Sequence, residues 1–116
     1  ILVDDETKFI NMLARRLSLR GLDADVAYSG EQALEKAAQT RYDIAVLDMK
    51  MPGMSGFALK QKLLDQQPDI KFIFVTGHGT LDQNGVPDHF DDIFLAKPLN
   101  IDTLIDTIRQ RLNPDQ

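Results

Sequence analysis

The sequence predicts an α/β fold: a doubly wound (βα)5 three-layer sandwich with a five-stranded parallel sheet of order 2-1-3-4-5. Three observations carry this. Short apolar runs alternate with longer amphipathic ones along the whole chain. Three of the five short runs are almost continuously apolar, as strands covered on both faces must be. A polar residue of unusual type stands at the carboxyl end of four of them, where an open α/β sheet places its ligand crevice.

The strands are read at 1–3 (ILV), 23–28 (DADVAY), 43–48 (DIAVLD), 70–76 (DIKFIFVT without its Asp) and 92–97 (DIFLAK). All are short, rich in β-branched or aromatic residues, and bounded by Gly, Asp or Pro. Helices are predicted between them. Residues 6–20 set Phe9, Met12, Leu13 and Leu17 on one stripe. Residues 30–39 group Ala33, Leu34, Ala37 and Ala38. Residues 56–66 carry Phe57, Leu59, Leu63 and Leu64, with Pro68 beyond. Residues 101–112 carry Ile101, Leu104, Ile105, Ile108 and Leu112. Gly21 and Asn113-Pro114 suit helix ends. Residues 77–91 contain three glycines and a proline, so the fourth connecting helix is expected to be short or irregular, between about 80 and 86.

Bulk properties narrow the function. The 116 residues suit one domain, and 43% hydrophobic with 27% charged residues is ordinary for a globular chain. A net charge of −5 and a pI near 4.8 argue against direct binding of nucleic acid or an anionic membrane. Without cysteine, disulfides, thiolate metal sites and thiol catalysis are excluded. No apolar run approaches the roughly 20 residues of a membrane span, and no signal peptide is visible. A cytoplasmic location is the expectation. The chain opens at Ile1, already inside an apolar run, and is read as a piece of a longer protein.

Asp4 and Asp5 follow the first strand, Asp48 ends the third, Thr76 the fourth and Lys97 the fifth. The predicted topology brings all five to one sheet edge. Three carboxylates together repel and invite a divalent cation; oxygen-only ligands suit Mg2+ or Mn2+. A metal with an ammonium can hold a phosphoryl group, a carboxylate can accept one, and a threonine hydroxyl can donate to its oxygens. Taken singly, each residue has a plainer explanation. Asp4 and Asp5 fit helix capping equally well, Asp48 a turn, Thr76 a strand end and Lys97 a solvated surface. Their joint placement favours a site.

Four motifs in order, ILVDDE, VLDMKMPGMSG, FVTGH and FLAKPL, make the chain resemble the receiver domain of two-component response regulators, a flavodoxin-like fold similar to the bacterial chemotaxis response regulator. The resemblance covers essentially all of residues 1–116. It implies a phosphorylation-dependent signalling switch. Asp48 would be the phosphoacceptor, fed by a sensor histidine kinase or phosphotransfer protein. Asp4, Asp5, Asp48 and the backbone carbonyl of Lys50 would hold Mg2+. Thr76 and Lys97 would stabilise the phosphoryl group, Phe94 would change rotamer on activation, and the Lys97–Pro98 peptide would be cis. It further implies an excised piece of a response regulator or hybrid protein, with an effector domain or homodimer as output. It implies no enzymatic activity beyond its own phosphorylation and dephosphorylation.

Other readings stand beside it. A degenerate receiver would bind a partner without phosphorylation. An aspartyl phosphatase of the haloacid dehalogenase type needs a second acid two residues after its nucleophile, where this chain has Lys50. The segment 79–91 departs from the family's regular helix. Pairing through the face built from that helix, the fifth strand and the last helix is therefore expected to be weak or altered; a phosphorylation-dependent dimer with a regular helix at that interface would contradict it. The two positions that tune phosphoryl lifetime in the family are Lys50 and His78, neither an acid nor an amide able to position water. The aspartyl phosphate is thus expected to outlast seconds at room temperature, as loss of the phosphoryl mass with time would measure.

Overall fold

Each strand of the sheet buries alternate residues on opposite faces, and that alternation organises the structure, a computed structural model describing residues 1–77 and 93–112. The strands are β1 (Leu2–Val3), β2 (Val26–Ala27), β3 (Ile44–Asp48), β4 (Lys71–Thr76) and β5 (Ile93–Ala96). The described helices are α1 (Thr7–Leu19), α2 (Gly30–Ala37), α3 (Gly56–Gln66) and α4 (Ile101–Leu112). All strand pairs are parallel, in the order β2-β1-β3-β4-β5, as predicted. The expected short helix at 80–86, with His78 and Asn113-Pro114, lies outside the described residues.

On one face Val3, Ala27, Ala45, Leu47, Phe72 and Phe74 pack with Ala33 and Ala37 of α2 and Leu59 and Leu63 of α3. On the other, Leu2, Val46, Ile73 and Val75 pack with Ile10, Leu13 and Leu17 of α1 and Leu104, Ile105 and Ile108 of α4. Burial on both faces explains why the central strands are nearly all apolar.

The helix ends follow local chemistry. The Ser29 and Ser55 hydroxyls accept from the N–H groups of Gln32 and Ala58, and the Asn100 amide oxygen accepts from Thr103, each covering an otherwise unpaired donor. At the end of α1, Gly21 takes φ +84° and Leu22 N–H donates to Leu17 O over 2.9 Å, closing the last turn.

The helical stripes need three corrections. Met12 is 45% exposed, while Ile10 is buried. At about 100° per residue, Ile10, Leu13 and Leu17 fall in one narrow arc and Met12 lies about a third of a turn away. Ala38 is exposed because α2 ends at Ala37. Leu112, 38% exposed, is the final residue of α4, where less of the core lies beneath it.

The loop after β3 folds back tightly. Gly56 N–H donates to Met49 O over 3.1 Å, and a Cβ on Gly56 would meet Asp48 O at 2.7 Å and Met49 Cα at 3.1 Å. A Cβ on Gly30 would meet only the Met54 side chain, with Sδ at 2.7 Å. Both glycines open a helix behind a serine cap, so any gain in helix propensity is shared. Backbone cannot yield as a thioether can. Gly56→Ala should therefore destabilise by about 1–3 kcal/mol, and Gly30→Ala by less, read as a shift of urea midpoint at constant m-value.

Candidate functional site at the carboxyl edge of the sheet

The register that builds the core also builds the site. Leu2 and Val3 pair with Val46 and Leu47, so the next step along both strands sets Asp4 beside Asp48. Both share the strand parity of Leu2 and Val46, the face covered by α1 and α4. Pairing of β5 with β4 continues past Ala96, as Lys97 N–H donates to Thr76 O over 2.8 Å. Lys97 therefore keeps the parity of Ile93 and Leu95 and emerges on that same face. Thr76, with the parity of Phe72 and Phe74, ends β4 on the opposite side and is buried.

Asp4 and Asp48 are both buried. Asp5 is exposed, yet one of its carboxylate oxygens lies within 4.8 Å of an oxygen of each of the other two. Opposed ligands of a six-coordinate Mg2+ stand about 4.2 Å apart, twice a bond of about 2.1 Å. Adjacent ligands stand about 3.0 Å apart, so the three carboxylates would draw closer around such a cation, and the set offers only oxygen. Lys97 reaches across the ends of β4 and β3. Its Nζ lies 2.9 Å from Asp4 Oδ2 and 2.9 Å from Glu6 Oε1, but 4.0 Å from Asp48 Oδ2. It also sits 4.8 Å from the centre of the Phe9 ring. Asp4 Oδ1 accepts from Glu6 N–H at 2.9 Å, and Asp48 Oδ1 from Lys50 N–H at 3.3 Å.

Asp48 is thus the less compensated of the two buried acids. Burial pushes its carboxyl up to about 6, the Asp4 charge adds to the rise, and Lys97 and the Lys50 N–H offset it only in part. Burial works against the charge on Lys97, but hydrogen bonds to Glu6 and Asp4 outweigh it and hold its pKa above the ordinary lysine value.

The sequence-predicted residues Asp4, Asp5, Asp48 and Lys97 come together here, and Thr76 ends the strand between β3 and β5. The Lys50 side chain is exposed. The Lys97–Pro98 peptide is cis. Phe94 is half-buried, stacked on Phe74 at 5.4 Å between ring centres and edge-on to Phe57 at 6.2 Å. His78 lies outside the described residues. Glu6 and Phe9 were missed as site residues: Glu6 reads as one more acid at a helix start and Phe9 as core. The one available signal was that Glu is a poor N-cap, so a Glu directly after Asp4-Asp5 has a carboxylate to spare.

The family model described as "Response regulator receiver domain" matches residues 1–109. The chain belongs to this family. The C4-dicarboxylate transport transcriptional regulatory protein DctD of Rhizobium meliloti is 33% identical over 111 residues, covering 94% of this chain and 24% of DctD. Response regulator ArlR of Staphylococcus aureus is 28% identical over 109 residues, covering 94% of this chain and 50% of ArlR. The chain thus spans half or less of these relatives. A response regulator receiver domain crystal structure from Clostridium thermocellum superposes with a TM-score of 0.86 at 26% identity, covering 97% of this chain and 92% of that one. This receiver domain therefore has the fold of the chemotaxis-type receivers and supports a two-component signalling role.

The Asp48 shift has a definite sign. Its folded pKa, about 6, exceeds the ordinary value of 3.8, so between these values the folded protein binds more protons than the unfolded chain. Stability from this group is present at low pH and is lost as pH rises through about 6. Without metal, Asp48→Asn should raise the melting temperature at pH 7.5 and leave it little changed at pH 4. Added Mg2+ should stabilise the wild type more at pH 7.5 than at pH 5, where protons compete for the same oxygens. Thermal melts across that range check both.

Proposed function

We propose that this receiver domain is a phosphorylation-dependent switch in which Asp48 accepts a phosphoryl group from a phosphohistidine of a sensor kinase or phosphotransfer protein. The observation that carries the reading is the Asp48 carboxylate, buried at the β1/β3 switch point with Asp4 and Asp5 on one side and Lys97 within 4.0 Å. In the transfer, an Asp48 oxygen forms a bond to phosphorus as the bond from phosphorus to the histidine nitrogen breaks. The nitrogen keeps that electron pair, and a ring protonated on its other nitrogen leaves as neutral imidazole.

Asp4, Asp5, Asp48 and the Lys50 backbone carbonyl would hold Mg2+, which when bound neutralises charge on the phosphoryl oxygens. Lys97 pairs with a phosphoryl oxygen, and the Thr76 hydroxyl donates to another. Drawing Thr76 toward the phosphoryl group frees space for Phe94, and the two together shift a pre-existing equilibrium between resting and active forms. Lys50 and His78 flank the acceptor and set how readily water attacks it. The chain turns over no separate substrate. It acts in the cytoplasm, and its output is an effector domain or a partner protein.

Incubation with Mg2+ and acetyl phosphate, followed by intact-mass measurement, tests this. Wild type should gain one phosphoryl group and Asp48→Asn none. If neither gains one under conditions that phosphorylate another receiver, the switch reading fails in favour of a phosphorylation-independent binding module.

A further inference from the structure

Glu6 occupies the N-cap position of α1, yet its side chain makes no capping hydrogen bond. Its carboxylate turns instead to Lys97 Nζ, 2.9 Å away. Asp4 takes a second side of the same ammonium, also at 2.9 Å, and the Phe9 ring faces it at 4.8 Å. All three groups come from the six residues that link β1 to the first turn of α1. Asp48, the residue Lys97 would serve in the proposed reading, is the furthest of the three carboxylates, at 4.0 Å. The two contacts that hold Lys97 differ in kind. Asp4 is buried, while the Glu6 side chain is 63% exposed. The Asp4 contact is a fixed pivot and the Glu6 contact a weak tether. An ion pair this exposed favours the tethered position by no more than about fivefold.

We propose that Glu6 is a positioning residue that tethers Lys97 in the resting state, and that release of this tether lets Lys97 swing about Asp4 to the phosphoryl group on Asp48. The inference rests on the switch reading and adds a regulatory element to that site: Glu6 sets how readily the domain accepts phosphate. Glu6 touches neither Asp48 nor a transferring group in this role and acts only through Lys97.

Two substitutions separate the tether from simple loss of charge. Glu6→Gln removes the charge. Glu6→Asp keeps it but, one methylene shorter, loses reach to Nζ and gains a good capping side chain. Glu6 is exposed, so both variants should fold, which a thermal melt verifies. In the Mg2+-free protein, the Lys97 ammonium followed by 1H–15N NMR should shift and exchange faster with water in both variants. With Mg2+ and acetyl phosphate, both should take up the phosphoryl group about two- to fivefold faster than wild type. An unmoved ammonium in either variant overturns the tether. A faster rate in Glu6→Gln alone assigns the effect to charge and overturns it too, as does any rate at or below wild type in both. A wild type that takes up no phosphate instead brings down the switch reading itself, with this inference upon it.

Discussion

Two buried carboxylates on adjacent parallel strands are the constraint around which this edge of the molecule is built. Neighbouring strands lie about 4.8 Å apart, and side chains two residues apart share a face. The β1–β3 register therefore leaves Asp4 and Asp48 no way to separate. Loss of water on burial, with their mutual repulsion added, raises the pKa of Asp48. One ammonium, carried from the far strand β5, has to serve both, and it sits closer to Asp4. A site left so short of positive charge is suited to a cation.

The fold tolerates this because its stability comes from elsewhere. The two apolar layers run on either side of the sheet, and the residues that flank the site are the large buried ones. Leu47, immediately before Asp48, is fully buried, as are Phe74 and Ile73 two and three residues before Thr76. Phe74 is ringed by Phe57 at 4.8 Å, Phe72 at 6.4 Å and Phe94 at 5.4 Å, giving β4 a rigid aromatic spine on the α2/α3 side. Close packing of this kind holds the strand ends in place, so the repulsion has little room to relax by movement of the backbone.

Most of this was legible in the sequence, for reasons that can be named. The strand order followed from alternating periods, and the site followed from Asp48, Thr76 and Lys97 each ending an apolar run. What failed was finer geometry. Met12 and Ile10 are both apolar and two residues apart, and only the true phase of α1 against the sheet decides between them. Ala38 and Leu112 fell at helix ends, where periodicity carries least information. Glu6 was missed for a different reason: its poor capping chemistry hints at a spare carboxylate, but its partner Lys97 is 91 residues away and no local pattern names it.

Burial divides the site into parts that are fixed and parts that are free. Asp4, Asp48 and Thr76 are buried and sit on strands packed on both faces. Glu6 and Phe94 are partly exposed, and the Lys97 side chain keeps 19% of its surface. Two of them lie at the ends of one short segment, since Phe94 and Lys97 are three residues apart and lie on opposite faces of the sheet. In the proposed switch, an event on the α1 side that draws Lys97 inward is therefore felt by the same edge strand that carries Phe94 against the α2/α3 layer. Edge strands have a single hydrogen-bonded neighbour and open at lower cost than central ones. In that proposed switch β5, rather than the packed β3 that carries Asp48, is the strand better placed to take up a second arrangement.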